Sequence, residues 1–101
     1  MKIIAVNISK ALRGKTPILT ATERAWWLRL DICKQFDFVI SVAGGNIYSY
    51  YKLISVNMDI LEPTRVKFEL IECTLIEKKS IDSYILKSKC SVSGFVTKYI
   101  R

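Results

Sequence analysis

The chain has no histidine and only three cysteines, at positions 33, 73 and 90. Losing histidine removes the commonest general base, so proton transfer would fall to Asp, Glu, Lys or Tyr. Metal sites suffer in the same way. A structural zinc site needs four Cys or His ligands in paired spacing, and no Cys-x-x-Cys occurs, so no metal is expected. Carboxylates are few as well. Asp31, Asp37, Asp59, Glu62, Glu69, Glu72, Glu77 and Asp82 fall mostly at caps, loops and exposed strand positions. None pairs with another at a spacing that would form a catalytic dyad or a metal clamp. No apolar run reaches the roughly 18 residues of a membrane span. The apolar stretch after Lys2 is too short for a signal peptide. No catalytic residue, cofactor or membrane partner is therefore expected.

Glycine (four) and proline (two) are also scarce, while half of the residues are hydrophobic. That composition belongs to a folded chain with one core, and residues 1–101 read as a single domain. Lys and Arg total 16 against nine Asp and Glu, a formal charge of +7. Such a balance draws a domain towards phosphate backbones, although the basic residues are dispersed and also serve solubility. An odd cysteine count with no secretion signal fits reduced thiols and a cytoplasmic location. Cys33 and Cys73 read as small buried hydrophobes, and Cys90, among lysines and serines, as more exposed.

Along the chain, residues 2–8 read as an opening strand and Ser9 as the cap of one helical turn ended by Gly14. Gly14-Lys15-Thr16 matches the end of a phosphate-binding loop. The upstream glycine that the motif needs is Ser9 here, and Pro17 follows, so ATP binding is rejected. Residues 18–24 read as extended. Asp31 sits where a helix cap would be, with Ile32, Cys33 and Phe36 facing inward. Residues 38–43 form a buried-strand signal, closed by Gly44-Gly45-Asn46, a turn that accepts positive φ. Residues 47–58 return as a long strand with two mixed faces. Residues 65–76 form the next strand, with a bulge near Leu70 where the inward parity changes. Ser80 reads as the cap of a short helix over 81–86, residues 88–94 as a loop and 95–100 as a closing strand. The expected fold is α+β and mostly β: a small, curved, mostly antiparallel β-barrel of about five strands with short helices.

Aromatic residues carry the functional signal. Trp26, Trp27, Tyr48, Tyr50 and Tyr51 flank the turn, and Arg24, Arg29 and Lys52 are near them in sequence. Aromatic faces beside cations can stack an unpaired base while a phosphate is held electrostatically. Equally, tryptophans anchor small cores, and one of two adjacent tryptophans must usually face in.

The order Ala21-Thr22-Glu23-Arg24-Ala25-Trp26, then a short helix, the 38–42 strand, Gly45 and a second strand, resembles the short bacterial versions of the PUA-like superfamily (PUA, ASCH and EVE relatives). Arg65-Val66-Lys67-Phe68, Tyr84-Ile85-x-Lys87 and Tyr99-Ile100 continue the likeness over about residues 20–101. The family pattern has Arg-Gly where this chain has Glu23-Arg24. The resemblance implies a PUA-like barrel that binds RNA or DNA, often a modified or flipped base in an aromatic pocket.

Together these readings point to non-catalytic nucleic-acid binding through an aromatic and basic cleft. Trp26 or Trp27, with Tyr50, would stack; Thr22 and Arg24 would make polar contacts; Lys52, Arg65 and Lys67 would meet phosphate. The alternative is a protein-interaction or regulatory module, including a homo-oligomer, that uses the same aromatic surface.

Overall fold

A computed structural model describes residues 1–23, 28–61, 64–87 and 98–100. The elements run β1 (Ile3–Asn7), α1 (Ser9–Arg13), α2 (Ile18–Glu23), α3 (Leu30–Cys33), β2 (Phe38–Ala43), β3 (Asn46–Met58), β4 (Val66–Glu72), α4 (Leu75–Lys87) and β5 (Lys98–Ile100). The strands form one sheet in the order β4-β3-β2-β1-β5. β1 and β2 are parallel, and the remaining three pairings are antiparallel. The α+β, mostly β expectation holds at that level. The barrel does not: β4 and β5 lie at opposite edges, and the sheet is open. The physical reason is that helices pack on both faces of the sheet, α1 to α3 on one and α4 on the other, which leaves neither face as the side-chain-filled interior of a barrel.

The crossover from β1 to β2 contains the main secondary-structure correction. Residues 18–23, within the 18–24 stretch expected to be extended, form helix α2. Pro17 precedes its first residue and its carbonyl accepts the Ala21 N–H at 2.9 Å, and its ring leaves no N–H to satisfy at the helix start. Ile18, Ala21 and Thr22 share the inward face at helical spacing. Two expected caps also shift: the N-cap of α1 is Ile8 and not Ser9, and that of α3 is Arg29, with Asp31 inside the first turn. Gly44 and Gly45 both have positive φ, 56° and 83°, as a tight two-residue hairpin between β2 and β3 requires. Helix α4 starts six residues before the expected one. Thr74 Oγ1 accepts the Glu77 N–H at 3.2 Å, and Glu77 Oε1 accepts the Thr74 N–H at 2.9 Å. This reciprocal capping box ends the preceding strand at Glu72 and starts the helix. Ser80, expected as the cap, lies inside the helix and donates its hydroxyl to the Ile76 carbonyl.

Alternation along β1 and β2 builds two cores, one on each face. Ile4, Val6, Val39 and Ala43 face Phe68, Val56 and the helices α1 to α3, which add Leu12, Ile18, Cys33 and Phe36. Ile3, Ala5, Ile40 and Val42 face Ile81 and Ile85 of α4, with Ile100 and Cys73. The centre of the sheet is thus covered on both sides, which explains the unbroken apolar run of β2. The mixed faces of β3 follow from two register irregularities, beside Ser41/Val42 and between Leu53 and Ser55. The second lies on β3, where Leu53 pairs with Leu70 and Ser55 with Glu69, leaving Ile54 over; the bulge expected in the 65–76 strand itself is absent, since β4 keeps one parity, with Val66 and Phe68 buried and Ile71 exposed.

Candidate nucleic-acid interface

Among the described residues, those expected to line one cleft are not brought together: Thr22 and Tyr50 belong to opposite faces of the sheet. Thr22 is fully buried on α2, and its hydroxyl donates to the Ile18 carbonyl at 2.7 Å. It faces the core, and the ligand contact read for it gives way to a structural role: back-bonding satisfies a buried hydroxyl. Arg24, Trp26 and Trp27 lie outside the described residues. Tyr50 packs against the core on the α4 side, and its hydroxyl donates to Asp82 Oδ1 at 2.6 Å. Burial, then that bond and the Asp82 charge, push the phenol up to about 12. Lys52 is exposed on the same strand, near enough to Glu77 that its charge helps hold that carboxyl below its usual range, after the hydrogen bond from the Thr74 backbone. Arg65 is half-buried beside Asp59, whose N–H it accepts at 2.9 Å through its backbone carbonyl. Lys67 is exposed on β4, on the same strand face as Glu69.

The cations chosen from sequence therefore stand among carboxylates. Glu72 pairs with Lys78 at 3.1 Å, and Glu69 accepts the Ser55 hydroxyl at 2.8 Å. A phosphate approaching Lys52 or Lys67 would meet negative groups beside each, which weakens the field it feels. Cys73, buried beneath this region, has its thiol pushed up to about 11 by burial first and Glu77 second. A thiol held in that form is a poor nucleophile at neutral pH.

The opposite end of the sheet has the contrasting charge. Residues 1–22 contain Lys2, Lys10, Arg13 and Lys15 and no Asp or Glu. Lys10, Arg13 and Lys15 are exposed on α1 and the turn after it. The helix begins where β1 ends, and the Ile8 N–H donates to the Val42 carbonyl at 2.9 Å, so α1 starts level with the β2–β3 hairpin. Asn7 Oδ1 fixes the entry by accepting the Ser9 N–H at 3.0 Å. Tyr48, 46% exposed, stands on that hairpin at the first register irregularity. One backbone detail marks the turn. Gly14 closes α1 with a negative φ, and Lys15 takes the left-handed conformation at φ 60°. A non-glycine residue there costs about 1 kcal/mol. Each of these residues is ordinary alone. The signal that would have found them is the absence of acid over 22 consecutive residues.

Among the described residues no group of three or more His, Cys, Asp or Glu could hold a metal ion, and no helix is long and apolar enough to cross a membrane. Comparison of the chain with protein-family models, curated proteins and solved structures finds no match.

Proposed function

We propose that the protein binds nucleic acid non-catalytically, and that the contact surface is the basic end formed by α1, its following turn and the β2–β3 hairpin. The observation that carries this reading is the uncompensated charge of Lys10, Arg13 and Lys15, exposed within six residues of one another in an acid-free stretch. Clustered cations release counterions when a phosphate backbone docks, which is the main source of sequence-independent affinity. Tyr48, exposed on the β2–β3 hairpin, offers a face on which an unpaired base can stack. The left-handed backbone at Lys15 sets that side chain on the turn directly after α1. The resemblance to PUA-like domains points to the same ligand class. The open sheet, however, moves the contact from a barrel cleft to the sheet end.

The test is anisotropy of short fluorescent RNA and DNA oligonucleotides, single-stranded and duplex, titrated over a salt series. Affinity should fall as salt rises, with a log–log slope of about −0.9 per phosphate neutralised on duplex DNA. Lys10→Ala, Arg13→Ala and Lys15→Ala together should flatten the slope by about two to three and weaken every oligonucleotide alike. Lys78→Ala with Lys79→Ala, on α4 among carboxylates, should change it much less. No binding at low salt, or equal losses in the two sets, would sink the proposal.

A further inference from the structure

β4 is an outer strand, and among the described residues no strand pairs with its outer side. Seven residues of open edge present unpaired N–H and C=O groups, a template that natural sheets either blunt or use. The surroundings are apolar as well. Ile60 is 91% exposed and Leu61 73%, both in the connection leading into β4. A cleft of about 450 Å³ runs along the strand between Glu23, Asn57, Ile60 and positions 67–70.

We propose that this edge pairs antiparallel with the same edge of a second copy of the chain, with the two-fold axis at Phe68. The side chains of β4 choose both the partner and the register. Lys67, Glu69 and Ile71 point to one face of the sheet, and Val66, Phe68 and Leu70 to the other, where Val66 and Phe68 are buried. An axis at Phe68 sets Lys67 opposite Glu69 of the second copy, and Glu69 opposite its Lys67. On the other face it sets Val66 opposite Leu70. Neighbouring registers are poorer. An axis at Lys67 opposes two lysines at its centre and sets Glu69 against the half-buried Arg65, beyond the 66–70 segment, and an axis at Glu69 opposes two glutamates. An axis at Val66 brings Lys67 against Arg65, and one at Leu70 brings Glu72 against Phe68. Like charges directly opposite destabilise a strand pair, and opposite charges support it. Within residues 66–70 the strand is thus self-complementary in one register, the condition for a closed two-fold dimer. The Ser55 hydrogen bond engages Glu69 Oε2 and leaves Oε1 for the lysine of the second copy. The edge is also distinct from the basic end, so self-association and nucleic-acid binding can be lost separately.

Sedimentation velocity over a protein concentration series at low salt tests this with the full chain. The wild type should pass from monomer to dimer as concentration rises. Lys67→Glu converts two attractive cross-strand pairs into two repulsive ones and should raise the dissociation constant by about tenfold or more. Glu69→Lys should do the same. The exchanged variant, Lys67→Glu with Glu69→Lys, restores opposite charges in the same register and should recover the wild-type constant within about threefold. Far-UV circular dichroism melts confirm that each variant is folded. A wild type that stays monomeric at every concentration overturns the proposal, and the charged residues would then be what keeps the edge unpaired. Dimerisation unchanged in both single variants, or no rescue in the exchanged one, overturns the register and with it the argument for a second copy.

Discussion

Residues 1–22 and residues 66–87 have equal length and four basic side chains each, yet they present opposite surfaces. The first stretch holds Lys2, Lys10, Arg13 and Lys15 with no carboxylate; the second holds Lys67, Lys78, Lys79 and Lys87 with Glu69, Glu72, Glu77 and Asp82. In the second, the described acids have local tasks: Glu77 caps α4, Glu72 pairs with Lys78, Glu69 bonds Ser55 and Asp82 receives Tyr50. The first stretch contributes much of one core, and its exposed cations have no acid within the stretch to answer them. The difference teaches that the position of the acids, and not the number of bases, decides where an anion will go. The same contrast separates how the helices are held. α1 and α3 have no side-chain cap at their N-caps and depend on packing, whereas α4 is closed by its own capping box.

The largest test of this contrast removes the residue that joins the two stretches. Phe68 belongs to β4 but is buried against the core that α1 to α3 cover. Phe68→Ala should cost about 3–5 kcal/mol, read by urea unfolding, because the ring volume cannot be refilled. A cost under about 1 kcal/mol would show that the N-terminal helices do not rest on β4 as described. The next test separates the helices. Thr74→Ala should destabilise by about 1 kcal/mol through loss of the α4 cap. Ser9→Ala should change stability by less than half of that, since the N-cap of α1 makes no side-chain bond and the Ser9 N–H is answered by Asn7. Equal losses at the two positions would erase the distinction.

How far the fold was legible follows the same division. Signals that act within a few residues were readable: the β2 strand, the Gly44-Gly45 hairpin and the inward set Cys33 and Phe36 are where their residue types put them. The Thr74-x-x-Glu77 box was equally readable but was masked by the apolar alternation of the strand before it. α2 was not readable from propensity, because Ile18, Thr20 and Thr22 favour strands and only burial against β2 and β4 selects the helix. Open sheet against closed barrel was a non-local matter, decided by helices from distant parts of the chain covering both faces of the sheet. The candidate site misled for a related reason. Nearness in sequence suggested one cleft for Thr22, Tyr50 and Lys52, whereas α2 and α4 lie on opposite faces of the sheet.

Lys15 allows the surface comparison to be sharpened by a gain in stability. With φ at 60°, Lys15→Gly relieves the left-handed strain and should stabilise the fold by about 0.5–1 kcal/mol. In the same variant the salt slope of oligonucleotide binding should fall by about one. Stability rising while binding weakens would tie the strained turn to function. Stability rising with binding untouched would leave Lys15 outside the contact.

The smallest effect probes the acid-rich stretch, where a carboxylate holds a phenol instead of a ligand. The Tyr50 phenol, raised from 10.0 to about 12, keeps its proton in the folded chain at pH values where the unfolded chain loses it. Stability from this group is therefore fully present below pH 10 and is lost between pH 10 and about 12. Tyr50→Phe removes both the bond to Asp82 and the titration. Near neutrality it should cost about 0.5–1 kcal/mol, at the low end for a charged acceptor because solvent reaches both partners. Above pH 10 the gap between the two proteins should narrow, since only the wild type still loses stability through this group. A gap that stays constant up to pH 12 would mean that neither burial nor the Asp82 bond raises the proton affinity of Tyr50. Asp82 would then be free to add its charge to the field around α4, and the contrast with the basic end would become steeper.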